Sequence, residues 1–140
     1  MTPNEEAALV ATDLVKSYGD QVALDDVNLS VARGEVVGLV GANGAGKSTF
    51  LQLAAGLLEP TAGDILVEGA PAGSLDARVV LSFLADQPAL YDDLSVNEHI
   101  EYIARLHGLA GRPESADELL ELFRLDDRAD DLPARFSRGL

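Results

Sequence analysis

The sequence contains no cysteine, which excludes disulfide bonds and thiolate metal sites. Positive charge is also scarce, since 10 lysines and arginines stand against 24 acidic residues and give a net charge of -14. A surface this acidic repels phosphate backbones, which argues against nucleic acid as a partner. No apolar run approaches the ~18 residues of a membrane span, and the polar start does not resemble a signal peptide. We therefore expect a cytoplasmic protein.

Hydrophobic residues make up 47% of the 140-residue chain, enough for a packed core. The first 40 residues have the pattern of short strands, with turns predicted at residues 19–20 and 25–26. Residues 36–41, VVGLVG, are apolar at almost every position. This pattern is typical of a strand covered on both faces, as in a parallel sheet. Further strands are predicted at 64–69 and 77–86.

Helical spacing begins at Lys47 and ends near Glu59. The residues expected on one side of this helix are Phe50, Leu53, Ala54 and Leu57. After residue 90 the pattern becomes helical again. Ser95 and Glu98 form a capping box, and the helix they open is predicted to stop at Gly108. Its apolar stripe consists of Val96, Ile100, Ile103 and Leu106.

A second helix in this part is predicted to begin at Pro113 and to carry Leu119, Leu120 and Phe123. His99 and His107 lie eight residues apart on the preceding helix, without a partner at metal-ligand spacing. We expect packing or surface roles for both histidines. The layout is α/β, followed by a small helical part.

A glycine-rich segment carries the chemistry of the chain. GANGAGKST, residues 41–49, fits the phosphate-loop pattern G-x-x-x-x-G-K-[ST] and lies between an apolar run and a helix. Glycines let backbone N–H groups turn inward around a phosphate, and the helix start adds a positive dipole end. The predicted nucleotide-binding residues are Gly41, Ala42, Asn43, Gly44, Ala45, Gly46, Lys47, Ser48 and Thr49.

Two of these residues have separate roles in the chemistry. Lys47 places a charge between the β- and γ-phosphates, and the Ser48 hydroxyl is a ligand for Mg²⁺. A magnesium carboxylate is also expected at the end of a buried strand, and Asp86, which ends the run VVLSFLAD, is the candidate in this chain. On the residues alone, the chain could therefore be a small P-loop kinase that uses Asp86 as its metal acid.

The segment GEVVGLVGANGAGKST closely resembles the Walker A region of ABC-type ATPases. The preceding LVKSYGDQVALDDVNLSVARGE resembles the antiparallel subdomain of that family, and LYDDLSVNEHIEYIARLHGL resembles the start of its helical subdomain. The resemblance covers roughly residues 8–140. It implies one ABC-type ATP-binding domain, with a β subdomain and P-loop core over 8–86 and a helical subdomain over 87–140.

The resemblance implies further site residues. Tyr18 matches the aromatic residue that stacks on adenine, and the family's Q-loop glutamine falls on Asp86 or its neighbour Gln87. The final residues, FSRGL, resemble the start of the signature motif, whose Ser137 and Gly139 would face the nucleotide of a second subunit. On this resemblance the chain stops inside the motif, so we expect an incomplete domain that is inactive as an ATPase by itself.

The implied protein is the ATP-binding subunit of an ABC transporter. Such a subunit binds MgATP, forms a dimer, docks on a transmembrane permease at the cytoplasmic face of the membrane, and hydrolyses ATP to drive transport. Besides the small kinase, two alternatives stay open: a soluble ABC protein of translation or repair, and a non-catalytic ATP-binding module. A GTPase is disfavoured, because no Asn-Lys-x-Asp motif is present.

Overall fold

The computed structural model describes residues 7–86, 90–133 and 136. The chain divides into two compact units, Met1–Leu84 and Ala85–Leu140. The elements of the first unit are β1 (Ala7–Tyr18), β2 (Gln21–Ala32), α1 (Lys47–Ala54), β3 (Ala62–Val67), β4 (Ala70–Pro71) and α2 (Leu75–Val80). Those of the second are α3 (Val96–Leu106), α4 (Ser115–Leu122) and a 3-10 turn (Asp126–Arg128). The predicted α/β class, with an antiparallel subdomain followed by helices, is confirmed.

The sheet of the first unit has the strand order β2-β1-β3-β4, and each neighbouring pair is antiparallel. A two-residue loop at 19–20 joins β1 to β2, as predicted, with Gly19 at a φ of 59°. The turn predicted at 25–26 is wrong, because both residues lie inside β2. Asp26 has a φ of 51° there, and the register slips nearby. Two acidic residues therefore mark a bulge, which bends a strand without ending it.

The apolar core of the first unit contains residues of the sheet and of α1. Leu14 of β1 and Leu53 of α1 have no exposed surface. The other buried members of the cluster are Ala11, Leu24, Phe50, Ala54 and Ile65. The apolar face predicted for α1 is thus confirmed at Phe50, Leu53 and Ala54.

Helix α1 is shorter than predicted, and Leu57 lies beyond it, exposed. The N–H of Gly56 donates to the Leu53 carbonyl (3.0 Å), and that of Leu57 to the Gln52 carbonyl (2.9 Å). Together with a φ of 67° at Gly56, these bonds form the Schellman motif that ends a helix. Gly56 is therefore the residue from which the end of α1 could have been predicted.

Two predicted strands are absent from the described residues. Residues 36–41 adopt no regular secondary structure, and Val36 and Val40 are 98% and 94% exposed. Within 77–86, the start belongs to α2, which Ser74 caps by accepting the Ala77 N–H (3.2 Å), and 81–85 are irregular. An apolar run indicates a preference for burial, but a strand also needs hydrogen-bonding neighbours, and the strands described here pair only with one another.

In the second unit, α3 begins at the predicted capping box. The Ser95 hydroxyl accepts the Glu98 N–H (3.3 Å), and the Glu98 carboxylate accepts the Ser95 N–H (2.7 Å). This backbone hydrogen bond lowers the pKa of Glu98. The predicted apolar stripe is only partly correct, since Ile103 and Leu106 are exposed. The buried residues of α3 are His99 and Ala104.

The start of α3 is also held by a distant segment. The Val96 N–H donates to the Asp131 carbonyl (3.1 Å), and the Asn97 N–H to the Ala129 carbonyl (2.9 Å). The segment after the 3-10 turn therefore satisfies two N–H groups that a helix start leaves without internal partners. Of the three apolar residues predicted on the second helix, Leu120 is buried in α4, whereas Leu119 and Phe123, which follows α4, are exposed.

Candidate nucleotide-binding site

The glycine-rich loop leads directly into α1, and its backbone requires glycine at Gly46. This residue has a φ of 84°, in the left-handed region. An added Cβ would lie 2.5 Å from the Ala23 carbonyl oxygen and 2.6 Å from Leu24 Cδ2. Gly44 has a similar φ of 83°, with open space around its Cα. The loop thus runs close against β2 at Gly46, and only glycine fits there.

The N-terminus of α1 points its free N–H groups toward this loop. No side chain caps the helix at Gly46, and its first turn contains no acidic residue. The N–H groups of a first helical turn have no partner inside the helix. Residues 47–49 therefore provide donors and a partial positive charge, which suits an anion.

Lys47 folds back across the loop. Its ammonium donates to the carbonyl oxygens of Gly41 and Ala42, each at 2.8 Å. These two bonds hold the positive charge over the loop backbone. The side chain is therefore oriented toward the glycine-rich segment.

A cleft of about 550 Å³ opens beside the loop. Its lining residues are Tyr18, Gln21, Ala23, Asn43, Gly44, Ala45, Gly46, Lys47, Ser48 and Thr49. Among the residues that the structure describes, this lining includes one cation and no carboxylate, in a chain whose net charge is -14. The structure thus brings Tyr18 to the same cleft as seven of the nine predicted loop residues. The other two, Gly41 and Ala42, accept hydrogen bonds from Lys47.

Tyr18 lies at the end of β1, in a segment that is hydrogen-bonded to residues 59–61, which follow α1. The Ser17 N–H donates to the Thr61 hydroxyl (3.0 Å), and the Thr61 N–H donates to the Val15 carbonyl (2.8 Å). Lys16 extends this link, since its ammonium donates to the Glu59 carbonyl (2.7 Å). The same ammonium lies 5.3 Å from the centroid of the Tyr18 ring.

Two neighbours of Tyr18, Lys16 and Gln21, were not predicted as site residues. Strand alternation places Lys16 and Tyr18 on one face of β1, and Tyr18 pairs with Gln21 across the two-residue loop. Both relations follow from the hairpin that the sequence predicts. The sequence therefore contained the information needed to place Lys16 and Gln21 beside Tyr18, namely the alternation of side chains along the two strands that flank the Gly-Asp turn.

The other predicted site residues belong to the second unit. Asp86 is exposed and lies at a bend. The strand that was expected to end at Asp86 is absent from the described residues, and the role of Asp86, as a magnesium ligand or as a Q-loop residue, stays a prediction. Gln87, Ser137 and Gly139 lie outside the described residues.

His99 is more deeply buried than its spacing suggested, at 7% exposed. Its Nε2 accepts the N–H of Tyr91 (2.9 Å), and its Nδ1 lies 2.8 Å from the Ser95 carbonyl oxygen. These partners assign a neutral ring with its proton on Nδ1. His99 is therefore a packed residue that joins Tyr91 to the start of α3, as the packing expectation proposed.

Within the part of the chain that the structure describes, no helix is both long and apolar enough to cross a membrane. The same residues include no group of three or more histidine, aspartate and glutamate side chains placed to hold a metal ion.

Comparison with known proteins gives consistent matches. A family model described as ABC transporter matches residues 24–140. A probable multidrug ABC transporter ATP-binding protein, YbhF from Escherichia coli (strain K12), is 40% identical over 147 residues, which cover 99% of this chain and 25% of that protein. The SkfA peptide export ATP-binding protein SkfE from Bacillus subtilis (strain 168) is 36% identical, with 91% and 54% covered.

A solved structure, described as the ATP binding subunit of an ABC transporter, superimposes with a TM-score of 0.81 and 37% identity. The match covers 94% of this chain and 57% of that one. This chain thus spans between a quarter and somewhat over half of the length of these proteins.

Proposed function

The chain belongs to the ABC transporter family of ATP-binding proteins, and from this premise we propose that its cleft binds MgATP. The observation that carries the proposal is the lining of the cleft. It combines a glycine-rich backbone, an uncapped helix start, one lysine and one aromatic ring. Although the chain has 24 acidic residues, the described residues that line the cleft include no carboxylate that would repel a polyphosphate.

The phosphates would be held by the loop backbone and by Lys47. The two carbonyl groups that now accept from the Lys47 ammonium are weaker acceptors than phosphate oxygens, because charge-assisted bonds to an anion are stronger. Lys47 would therefore exchange these partners for the β- and γ-phosphates. Glycine at Gly46 lets the loop backbone pack against β2, and glycine at Gly44 leaves open space beside the loop.

The Mg²⁺ ion fits the donors of the cleft only in part. Ser48 lies in the first turn of α1 and lines the cleft, so its hydroxyl would be the protein ligand beside the phosphate oxygens. Magnesium in nucleotide sites typically keeps several waters and takes few protein ligands. When bound, the ion would neutralise phosphate charge.

The base would stack on Tyr18, a residue that is 48% exposed and lines the cleft. Stacking of a base on an aromatic ring is worth ~1–3 kcal/mol. The hydrogen bonds that join Val15, Lys16 and Ser17 to residues 59–61 would hold the end of β1, and with it Tyr18, in place beside the cleft.

For the whole protein, we propose ATP hydrolysis that drives transport through a permease partner, at the cytoplasmic face of the membrane. Two relatives, named as a probable multidrug ABC transporter ATP-binding protein and a peptide export ATP-binding protein, support this assignment. Asp86 or Gln87 would serve as the Q-loop residue. Ser137 and Gly139 would contact the nucleotide of the second subunit in a dimer. The 140 residues would form part of one ABC-type ATP-binding domain, with a β subdomain and P-loop core over 8–86 and a helical subdomain over 87–140.

Nucleotide titration of Lys47→Ala tests the proposed binding site. Because the ammonium would meet two phosphates, we expect at least tenfold weaker ATP binding, or about 1.4 kcal/mol. Arg105→Ala is the matched control, since it removes one positive charge from an exposed ion pair on α3. Equal ATP affinity in the wild type and in Lys47→Ala would overturn the proposed site.

A further inference from the structure

The two faces of the Tyr18 ring have different surroundings. The Lys16 ammonium lies 5.3 Å from the ring centroid and is anchored to the Glu59 carbonyl at 2.7 Å. Lys16 is not among the residues that line the cleft in the described part of the chain, whereas Tyr18 is. The Lys16 ammonium thus lies over one face of the ring, and because Tyr18 lines the cleft whereas Lys16 does not, we take the opposite face as the cleft face. A stacked base has only the cleft face available.

Gln21 lies beside this cleft face. It is the cross-strand partner of Tyr18 in the β1–β2 register, and directly opposed residues project to the same face of a sheet with Cβ atoms ~5 Å apart. Gln21 is exposed and lines the cleft, and Ala23, also on β2, lines it too. The side chain of Ala23 is a single methyl group, so it takes up little of the cleft.

Stacking alone does not select a base, because every base has a π-face. Selection requires hydrogen bonds at the edge of the base. A carboxamide presents one donor next to one acceptor, which matches the N7 and N6–H groups of adenine. The corresponding edge of guanine presents two acceptors, N7 and O6, so a carboxamide can satisfy only one of them.

We propose that Gln21 reads the edge of the base stacked on the cleft face of Tyr18 and makes the site prefer adenine over guanine. This inference rests on the proposed function, since it requires a nucleotide in the cleft. Lys16 is then a positioning residue, which acts by holding the Tyr18 ring from behind. Both roles follow from the short hairpin, which brings Lys16, Tyr18 and Gln21 to one face.

The test measures the affinities of the full 140-residue chain for ATP, GTP and inorganic tripolyphosphate. We expect the wild type to bind ATP about fivefold or more tightly than GTP, as for a bidentate contact partly open to water. Gln21→Ala should bring this ratio close to one. Gln21→Arg should shift it toward GTP, because a guanidinium matches the two acceptors of guanine. Tripolyphosphate has no base, so Gln21→Ala should leave its affinity unchanged.

Gln52→Ala is the control, because Gln52 is an exposed glutamine of α1 that does not line the cleft in the described residues. It should keep the wild-type ratio. A wild type without base preference, or a Gln21→Ala variant that keeps the ratio, would overturn the inference and leave the phosphate site intact. A wild type that binds neither nucleotide nor tripolyphosphate would instead overturn the proposed function.

Discussion

The two units of the chain are stabilised in different ways. In the first unit, large apolar side chains of the sheet and α1 form the core, and Leu14 and Leu53 are fully buried. In the described part of the second unit, the buried side chains are small or polar, apart from Leu120. They are Ser95, His99, Ala104 and Ala116. We therefore expect hydrogen bonds at the start of α3 to contribute a larger share of the stability in the second unit than in the first.

This difference bears on how precisely each unit positions a functional group. The phosphate loop is continuous with α1, and three residues of α1 belong to the apolar core. Close packing resists displacement, so we expect α1 and the loop that leads into it to be held firmly by the core. The second unit depends on caps, each of which contributes only about 1 kcal/mol. We therefore expect its helices to open more easily than the sheet.

The largest effect is expected from Leu53→Ala. Removal of a fully buried leucine costs ~2–5 kcal/mol in lost burial and a residual cavity. Leu51→Ala is the matched control, because Leu51 lies on the same helix and is 46% exposed. Urea unfolding monitored by β-sheet circular dichroism should show a much lower midpoint for Leu53→Ala alone. Similar midpoints for the two variants would mean that the core of the first unit is not close-packed.

A smaller effect, about 1 kcal/mol, is expected from Ser95→Ala, which removes the side-chain cap of α3. Amide hydrogen exchange should accelerate in α3 and stay unchanged in β1. Ser115→Ala provides a comparison, since Ser115 is an exposed residue of α4 and should not change exchange in α3. If the sheet of the first unit opens together with α3, the contrast between the units is wrong.

The sequence predicted most parts of the fold that depend on local chemistry, although the turn predicted at 25–26 was wrong. The phosphate loop, the turn at 19–20 and the capping box each depend on a few adjacent residues. The runs at 36–41 and 77–86 were predicted as strands from their composition, but pairing depends on partners elsewhere in the chain. The carbonyl groups of Ala129 and Asp131 at the start of α3 were likewise not predictable, because contacts distant in sequence leave no local pattern.

The smallest effect is expected from Glu98→Gln, which keeps the shape of the capping box but removes its charge. The pKa of Glu98 is lowered, first by its hydrogen bond to the Ser95 backbone. A lowered folded-state pKa stabilises the fold above the ordinary glutamate pKa, and this contribution is lost as the pH falls through the lowered value. Melting temperatures should thus differ between wild type and Glu98→Gln at pH 7 and converge in acid. A difference in melting temperature that persists in acid would show that the effect does not come from the charge of Glu98.

Hydrogen exchange of the chain with and without MgATP tests the central claim, that nucleotide binding resides in the first unit, most directly. We expect slower exchange in residues 41–49 and around Tyr18, no change in α3 or α4, and loss of the effect in Lys47→Ala. Slowing confined to the second unit, or none in residues 41–49 at ATP concentrations that saturate binding, would contradict the assignment of the cleft.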